Sequence, residues 1–97
     1  MAYQELDPIL HNQLRLSIMS ILISNESAEF KYLLEKTGAT RGNISVQISK
    51  LKDAGYISVK KTFRNNYPLT TCKITRKGIE AFENYVKVIS GYLNLDK

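Results

Sequence analysis

The 97-residue sequence is poor in residues that cross-link or catalyse: it has one cysteine, Cys72, one histidine, His11, two prolines and no tryptophan. A lone thiol excludes an intrachain disulfide framework and suits a reducing compartment, with Cys72 expected as a buried strand residue. One histidine, with no clustered carboxylates and no glycine-rich phosphate loop, is too thin an inventory for catalysis or metal binding. No enzyme activity, cofactor or metal site is therefore expected. No apolar run approaches the roughly 18 residues of a membrane span, and no basic-then-apolar leader opens the chain. The expectation is a cytoplasmic protein, independent of membranes, forming a single domain over residues 1–97.

Acidic charge is scarce in the middle of the chain. Residues 41–77 hold nine basic groups and one acidic group, Asp53, a net of +8, while residues 1–40 carry −2 and 78–97 carry −1. Charge needed only for solubility would be spread evenly. A basic block of this kind is what neutralising the phosphates of a nucleic acid requires.

The block begins inside the most informative stretch, Phe30 to Ala54. Its spacing predicts a short helix carrying Phe30, Leu33 and Leu34, a turn at Gly38-Ala39-Thr40, and a longer helix over 41–54. Gly38 suits the positive φ of a helix C-terminus, and Thr40 suits the side-chain cap of the next helix. Two helices joined through such a turn make a helix-turn-helix, whose DNA-binding forms lay the second helix in the major groove. Ile44, Ile48 and Leu51 define the buried side of that helix. The opposite side carries Gly42, Asn43, Ser45, Val46, Ser49, Lys50 and Asp53, small and polar enough to approach base edges. Asn43 and Ser45 can exchange hydrogen bonds there, Lys50 can reach phosphate or guanine, and Val46 can meet a thymine methyl.

The flanking segments complete an architecture. Asp7-Pro8 reads as a helix start, and an apolar stripe of Leu10, Leu14, Ile18, Ile21 and Leu22 predicts a first helix from Pro8 to about Ile23. Ala28-Glu29 reads as a very short strand. After Gly55, the segments Tyr56–Phe63 and Leu69–Ile74 predict a β-hairpin with its turn over Arg64–Pro68. Lys60, Lys61, Arg64 and Lys73 charge this hairpin. Alternation forbids Lys60 and Lys61 from sharing a face, which favours Arg64 at the turn as its phosphate or minor-groove contact. Thr75 then caps a last helix. That helix bears two apolar stripes: Ile79, Phe82, Val86, Ile89 and Leu93, and Tyr85, Val88, Tyr92 and Leu95. One stripe docks on the chain itself, and the second is left for a two-fold partner. The helix over 75–95 is therefore the expected dimerisation element, with Ile9, Phe82, Tyr85, Val88, Ile89, Tyr92 and Leu95 at the interface.

Helix, helix-turn-helix, charged hairpin and final helix, in that order, predict an α+β, mostly α, winged helix-turn-helix with a three-helix core, a two-stranded wing and a long C-terminal helix. The chain resembles the small winged-helix transcriptional regulators related to the MarR and ArsR groups. The resemblance is carried by Leu14-Arg15-Leu16-Ser17-Ile18-Met19, Gly42-Asn43-Ile44-Ser45-Val46, Leu51-Lys52-Asp53-Ala54-Gly55-Tyr56-Ile57, Lys60-Lys61-Thr62-Phe63 and Ile74-Thr75-Arg76-Lys77-Gly78. It implies a homodimer whose partners are double-stranded DNA and itself, with Asn43, Ser45, Gln47 and Lys50 as helix contacts and Arg64 as the wing contact. Thr40, Arg41, Lys60, Arg64 and Lys73 would meet phosphates. The chain departs from the family in carrying Asn65-Asn66 at the wing tip, where glycine and more basic residues are common, and in lacking the clustered ligands of metal-sensing relatives. The competing reading is a winged-helix protein-interaction module. Nothing in the sequence specifies the operator, the sign of regulation or a small-molecule effector.

Overall fold

Four helices and a three-stranded sheet converge on one apolar cluster in the computed structural model, which describes residues 3–93. The order is α1 (Gln13–Asn25), β1 (Ser27–Glu29), α2 (Phe30–Thr37), α3 (Arg41–Asp53), β2 (Ile57–Arg64), β3 (Tyr67–Ile74) and α4 (Arg76–Leu93). Ile18, Met19 and Leu22 of α1, Leu33 of α2, Ile44 and Leu51 of α3 and Cys72 of β3 have essentially no exposed surface. The helical periodicity of the sequence therefore translates into faces that meet. Among the described residues no helix is long and apolar enough to cross a membrane.

The helix-turn-helix forms as its capping residues dictate. Gly38 ends α2 at φ 69°, and its N–H donates to the Leu34 carbonyl. Thr40 opens α3, its Oγ1 accepting from the Asn43 N–H at 3.2 Å. A cap of this kind stabilises a helix by about 1 kcal/mol.

The first helix starts later than Asp7-Pro8 suggests. Asp7 does cap, its Oδ1 accepting from the Ile9 N–H at 2.8 Å, but it caps only a single turn. Asn12, extended at φ −152°, then starts α1 by accepting from the Arg15 N–H. The break has a physical cause. The carbonyls of Pro8 and Ile9 accept hydrogen bonds from the Arg15 guanidinium, which is only 9% exposed as a residue.

The hairpin is longer than expected and is not alone. Asn65 and Asn66, at φ 51° and 66°, form a two-residue turn, and the strands pair from Ile57↔Ile74 out to Arg64↔Tyr67. Consecutive positive φ values match the right-handed twist of paired strands, and asparagine tolerates them. β1 pairs antiparallel to β3 through Ser27↔Lys73, Ala28↔Cys72 and Glu29↔Thr71, giving the order β1-β3-β2. A free two-stranded hairpin is marginal, and the third strand joins its base to the helix-turn-helix. Cys72 lies fully buried in the central strand, and burial pushes its thiol up to about 11, leaving it protonated and unreactive at neutral pH.

The last helix is anchored at its start. Thr75 Oγ1 donates to the Gly55 carbonyl at 2.6 Å and accepts from the Gly78 N–H at 3.0 Å. The Tyr56 hydroxyl donates to Asp7, and burial, together with that carboxylate, pushes its pKa up to about 12. Of the two stripes, the docked one is the reverse of the stripe expected. Tyr85 and Val88 are buried against the chain, with the Tyr85 hydroxyl 3.1 Å from His11 Nδ1. Tyr92 stacks on Tyr3 at 4.7 Å and donates to the Gln4 carbonyl. Ile79, Val86 and Leu93 stay exposed, with Phe82 and Ile89 half-buried between them. Leu95 lies outside the described residues. The Tyr85 hydroxyl finds a polar partner in His11 that an aliphatic side chain could not use, whereas Tyr92, 37% exposed, meets the N-terminal segment at the surface.

Gly78 sits where α4 crosses the chain after α3. A β-carbon there would lie 2.1 Å from the Tyr56 carbonyl oxygen, which also accepts from the Thr75 N–H. Gly78→Ala is expected to force α4 outward and lower stability by about 1–3 kcal/mol. Urea denaturation of the variant checks this, with Gly91→Ala, whose site is open, as the tolerated control.

Candidate nucleic-acid interface

The exposed side of α3 assembles from the residues singled out in the sequence. Arg41, Gly42, Asn43, Ser45, Ser49 and Lys50 are all exposed, and Val46 is 51% exposed. Burial of Ile44, Ile48 and Leu51 against the core fixes this rotation of the helix. Thr40 and Arg41 stand at its N-terminus, where backbone N–H groups point outward and favour anions. The Arg41 guanidinium lies 5.7 Å from the centre of the Phe30 ring, which steadies it at the mouth of the turn.

Between α3 and the wing runs a groove of about 570 Å³. Its basic lining is Lys31, Arg41, Lys52 and Lys61, with Ser45, Ser49 and Thr70 as hydrogen-bonding groups and Glu29 as the one acidic residue. The sheet register settles which wing cation belongs here. Val59 and Lys61 share the groove face with Thr70, whereas Lys60, paired with Thr71, points to the other face. Sequence reasoning singled out Lys60; the groove takes Lys61.

Arg64 and Lys73 lie on the same face as Lys60, away from the groove. Arg64 pairs with Glu29 at 3.4 Å and Lys73 with Glu26 at 3.6 Å. Both pairs are solvent-exposed and worth less than about 1 kcal/mol, so either cation can be recruited by a phosphate. Both sit on the hairpin, Arg64 as the last residue of β2 rather than in the expected turn, and which way they face depends on register. Gln47 is not a free surface amide either: it is half-buried, accepting from Arg15 and donating to Asn43 Oδ1 at 3.1 Å.

Two groups of residues were missed from sequence. Lys31 and Lys52 come to the groove from different helices, and only their juxtaposition identifies them. Phe63 and Tyr67, 78% and 75% exposed, flank the wing tip. Aromatic residues that close to an Asn-Asn turn cannot reach the core, a signal that was available in the sequence. Among the described residues no three His, Cys, Asp or Glu side chains group as metal ligands. What the surface offers is hydrogen-bond donors, short polar side chains and cations along one groove.

Comparison with known proteins is decisive at this point: residues 14–93 match the family of winged helix DNA-binding domains. The chain belongs to that family. A relative from Methanocaldococcus jannaschii, an uncharacterized protein, is 37% identical over 78 residues, covering 80% of this chain and 85% of its own. Among solved structures, a transcriptional regulator homologue from Pyrococcus horikoshii superposes with a TM-score of 0.84 at 28% identity, over 92% of this chain and 89% of that one. A MepR-like protein superposes at 0.72 with 18% identity, over 86% and 61% of the two chains. An ArsR family transcriptional regulator superposes at 0.60 with 19% identity, over 92% and 86%. The winged helix fold expected from the order of elements is thus the fold of these regulators.

This winged helix domain should distinguish its two neighbouring wing lysines. Lys61→Ala is expected to reduce the salt dependence of duplex binding by about one unit in the slope of log K against log salt. Lys60→Ala should change it less. Titrations of both variants across salt concentrations measure the difference.

Proposed function

We propose that the protein is a homodimeric, sequence-specific regulator of transcription on double-stranded DNA. The observation that carries this reading is the coincidence of a small, polar, exposed face on α3 with the basic groove beside it. Asn43, Ser45, Val46 and Lys50 face the bases of a major groove. Thr40, Arg41, Lys52 and Lys61 lie towards the flanking phosphates. Arg64, with Phe63 and Tyr67, reaches outward along the backbone from the wing tip. Acting on DNA as a free regulator, the protein would work in the cytoplasm. The relatives support the reading, since the Pyrococcus horikoshii protein is described as a transcriptional regulator homologue.

The dimer is assigned to the outer stripe of α4. Ile79, Val86 and Leu93 are 36%, 45% and 60% exposed, with Phe82 and Ile89 half-buried between them, an apolar surface that a second copy would cover. Two-fold symmetry then presents two recognition helices to one side of a duplex, and the operator is a palindrome with half-sites about 10 bp apart. Tyr85 and Val88 serve the interior of each subunit in this arrangement, while Phe82 and Ile89 face the partner.

Fluorescence anisotropy with a generic duplex of about 30 bp, longer than two such half-sites, tests the DNA reading. Wild type should bind with steep salt dependence, and Asn43→Ala and Lys50→Ala should weaken binding. No binding at low salt would move the search to a protein partner. Val86→Glu, at a site exposed within the subunit, should leave the thermal midpoint nearly unchanged, convert the dimer to a monomer in sedimentation velocity, and weaken operator binding. A variant that remains dimeric would move the interface elsewhere.

A further inference from the structure

Behind the exposed face of α3 lies a chain of polar contacts that begins in the protein interior. Arg15 is buried, and its guanidinium donates to the carbonyls of Pro8 and Ile9 and to Gln47 Oε1. Gln47 Nε2 in turn donates to Asn43 Oδ1 at 3.1 Å. Gln47 and Asn43 stand one helical turn apart on α3, and the Asn43 N–H is held separately by Thr40.

The polarity of this chain follows from its first member. Arginine has five donors and no acceptor, so the group Gln47 turns towards Arg15 must be its oxygen. The other end of the Gln47 amide is then an NH2, which has no acceptor to offer, so Asn43 must turn its own oxygen inward. The Asn43 NH2, with two donors, is left facing out of the exposed side of α3. A free asparagine could present either end of its amide; here the buried guanidinium makes the choice.

We propose that Arg15 and Gln47 are positioning residues that lock the Asn43 side chain as an outward hydrogen-bond donor, and thereby make the domain read guanine at the base facing Asn43. The inference rests on the reading of α3 as the helix that enters the major groove. An unconstrained asparagine pairs bidentately with adenine, donating to N7 and accepting from the N6 amino group. With Oδ1 already accepting from Gln47, only its second lone pair is left for the N6 amino group, and that pairing is weakened. Guanine presents two acceptors, O6 and N7, to the outward NH2. Neither Arg15 nor Gln47 needs to touch DNA for this. Gln47, expected from family position to contact DNA, acts through its neighbour.

The test is selection of bound duplexes from a random pool by the full-length protein, followed by competition between matched duplexes differing at one base pair. Asn43→Ala identifies the position that Asn43 reads. Wild type should prefer guanine there by roughly tenfold, and Asn43→Ala should abolish the preference. Gln47→Glu keeps an acceptor for Arg15 but gives Asn43 only oxygen to face. The Asn43 amide then turns over, and the preference should move to adenine or cytosine, whose amino groups donate. Gln47→Met, which holds neither partner, should accept adenine about as well as guanine. Melting curves establish that each variant is folded, and a merely structural role for Gln47 would not reverse a base preference. A wild-type preference for adenine at the Asn43 position would overturn the assignment, as would an unaltered guanine preference in both folded Gln47 variants. Loss of no base preference in Asn43→Ala would also overturn it, while leaving the DNA reading standing. Failure of wild type to bind any duplex at low salt would overturn both.

Discussion

A buried guanidinium must find acceptors, and much of this structure is arranged to supply them to Arg15. Leaving such a charge unpaired in the interior would cost several kcal/mol. Its acceptors come from two places: the carbonyls of the turn after Asp7 and the side chain of Gln47 on α3. The first explains why the helix predicted from Pro8 is broken, since carbonyls committed to Arg15 are not available to a continuous helix. The second ties α1 to α3 through a directional contact. Hydrophobic burial of Ile44, Ile48 and Leu51 sets the rotation of α3, and the Arg15–Gln47 hydrogen bond adds a polar constraint at its N-terminal half.

The N-terminal segment acts as a clasp around this arrangement. Asp7 accepts from Tyr56 at the end of α3, His11 meets Tyr85, and Tyr92 reaches back to Gln4. Tyr85 of α4 is thereby drawn inward, while Ile79, Val86 and Leu93 are turned outward. The surface proposed for dimerisation is thus a consequence of polar satisfaction inside the subunit rather than of the larger apolar stripe being sequestered. Gly78 permits the same packing from the other end, because the close approach of α4 to the Tyr56 carbonyl leaves no room for a side chain.

The wing depends on a comparable division. Three strands with Cys72 at their centre hold the hairpin base against the helices, and the two-residue Asn-Asn turn carries the tip clear of the body. Because side chains alternate along a strand, the pairing that buries Cys72 and Ile74 also decides that Lys61 faces the groove beside α3 and that Lys60, Arg64 and Lys73 do not.

Local chemistry made much of this legible in the sequence. Gly38 and Thr40 delimit the helix-turn-helix because a positive φ and a side-chain cap are properties of single residues. Ile44, Ile48 and Leu51 identify the covered face of α3, Asn65-Asn66 mark a turn, and the basic block from 41 to 77 supplies most of the cations that line the groove beside α3. What only the tertiary structure decided involves partners distant in sequence. Arg15 and Gln47 are 32 residues apart, so neither the broken first helix nor the polarity of Asn43 can be seen from either residue alone. The pairing of Ala28 with Cys72 and the approach of Lys31, Lys52 and Lys61 to one groove depend on register and packing. On α4, two apolar stripes competed for the core, and burial went to the one whose Tyr85 hydroxyl meets His11 across the chain.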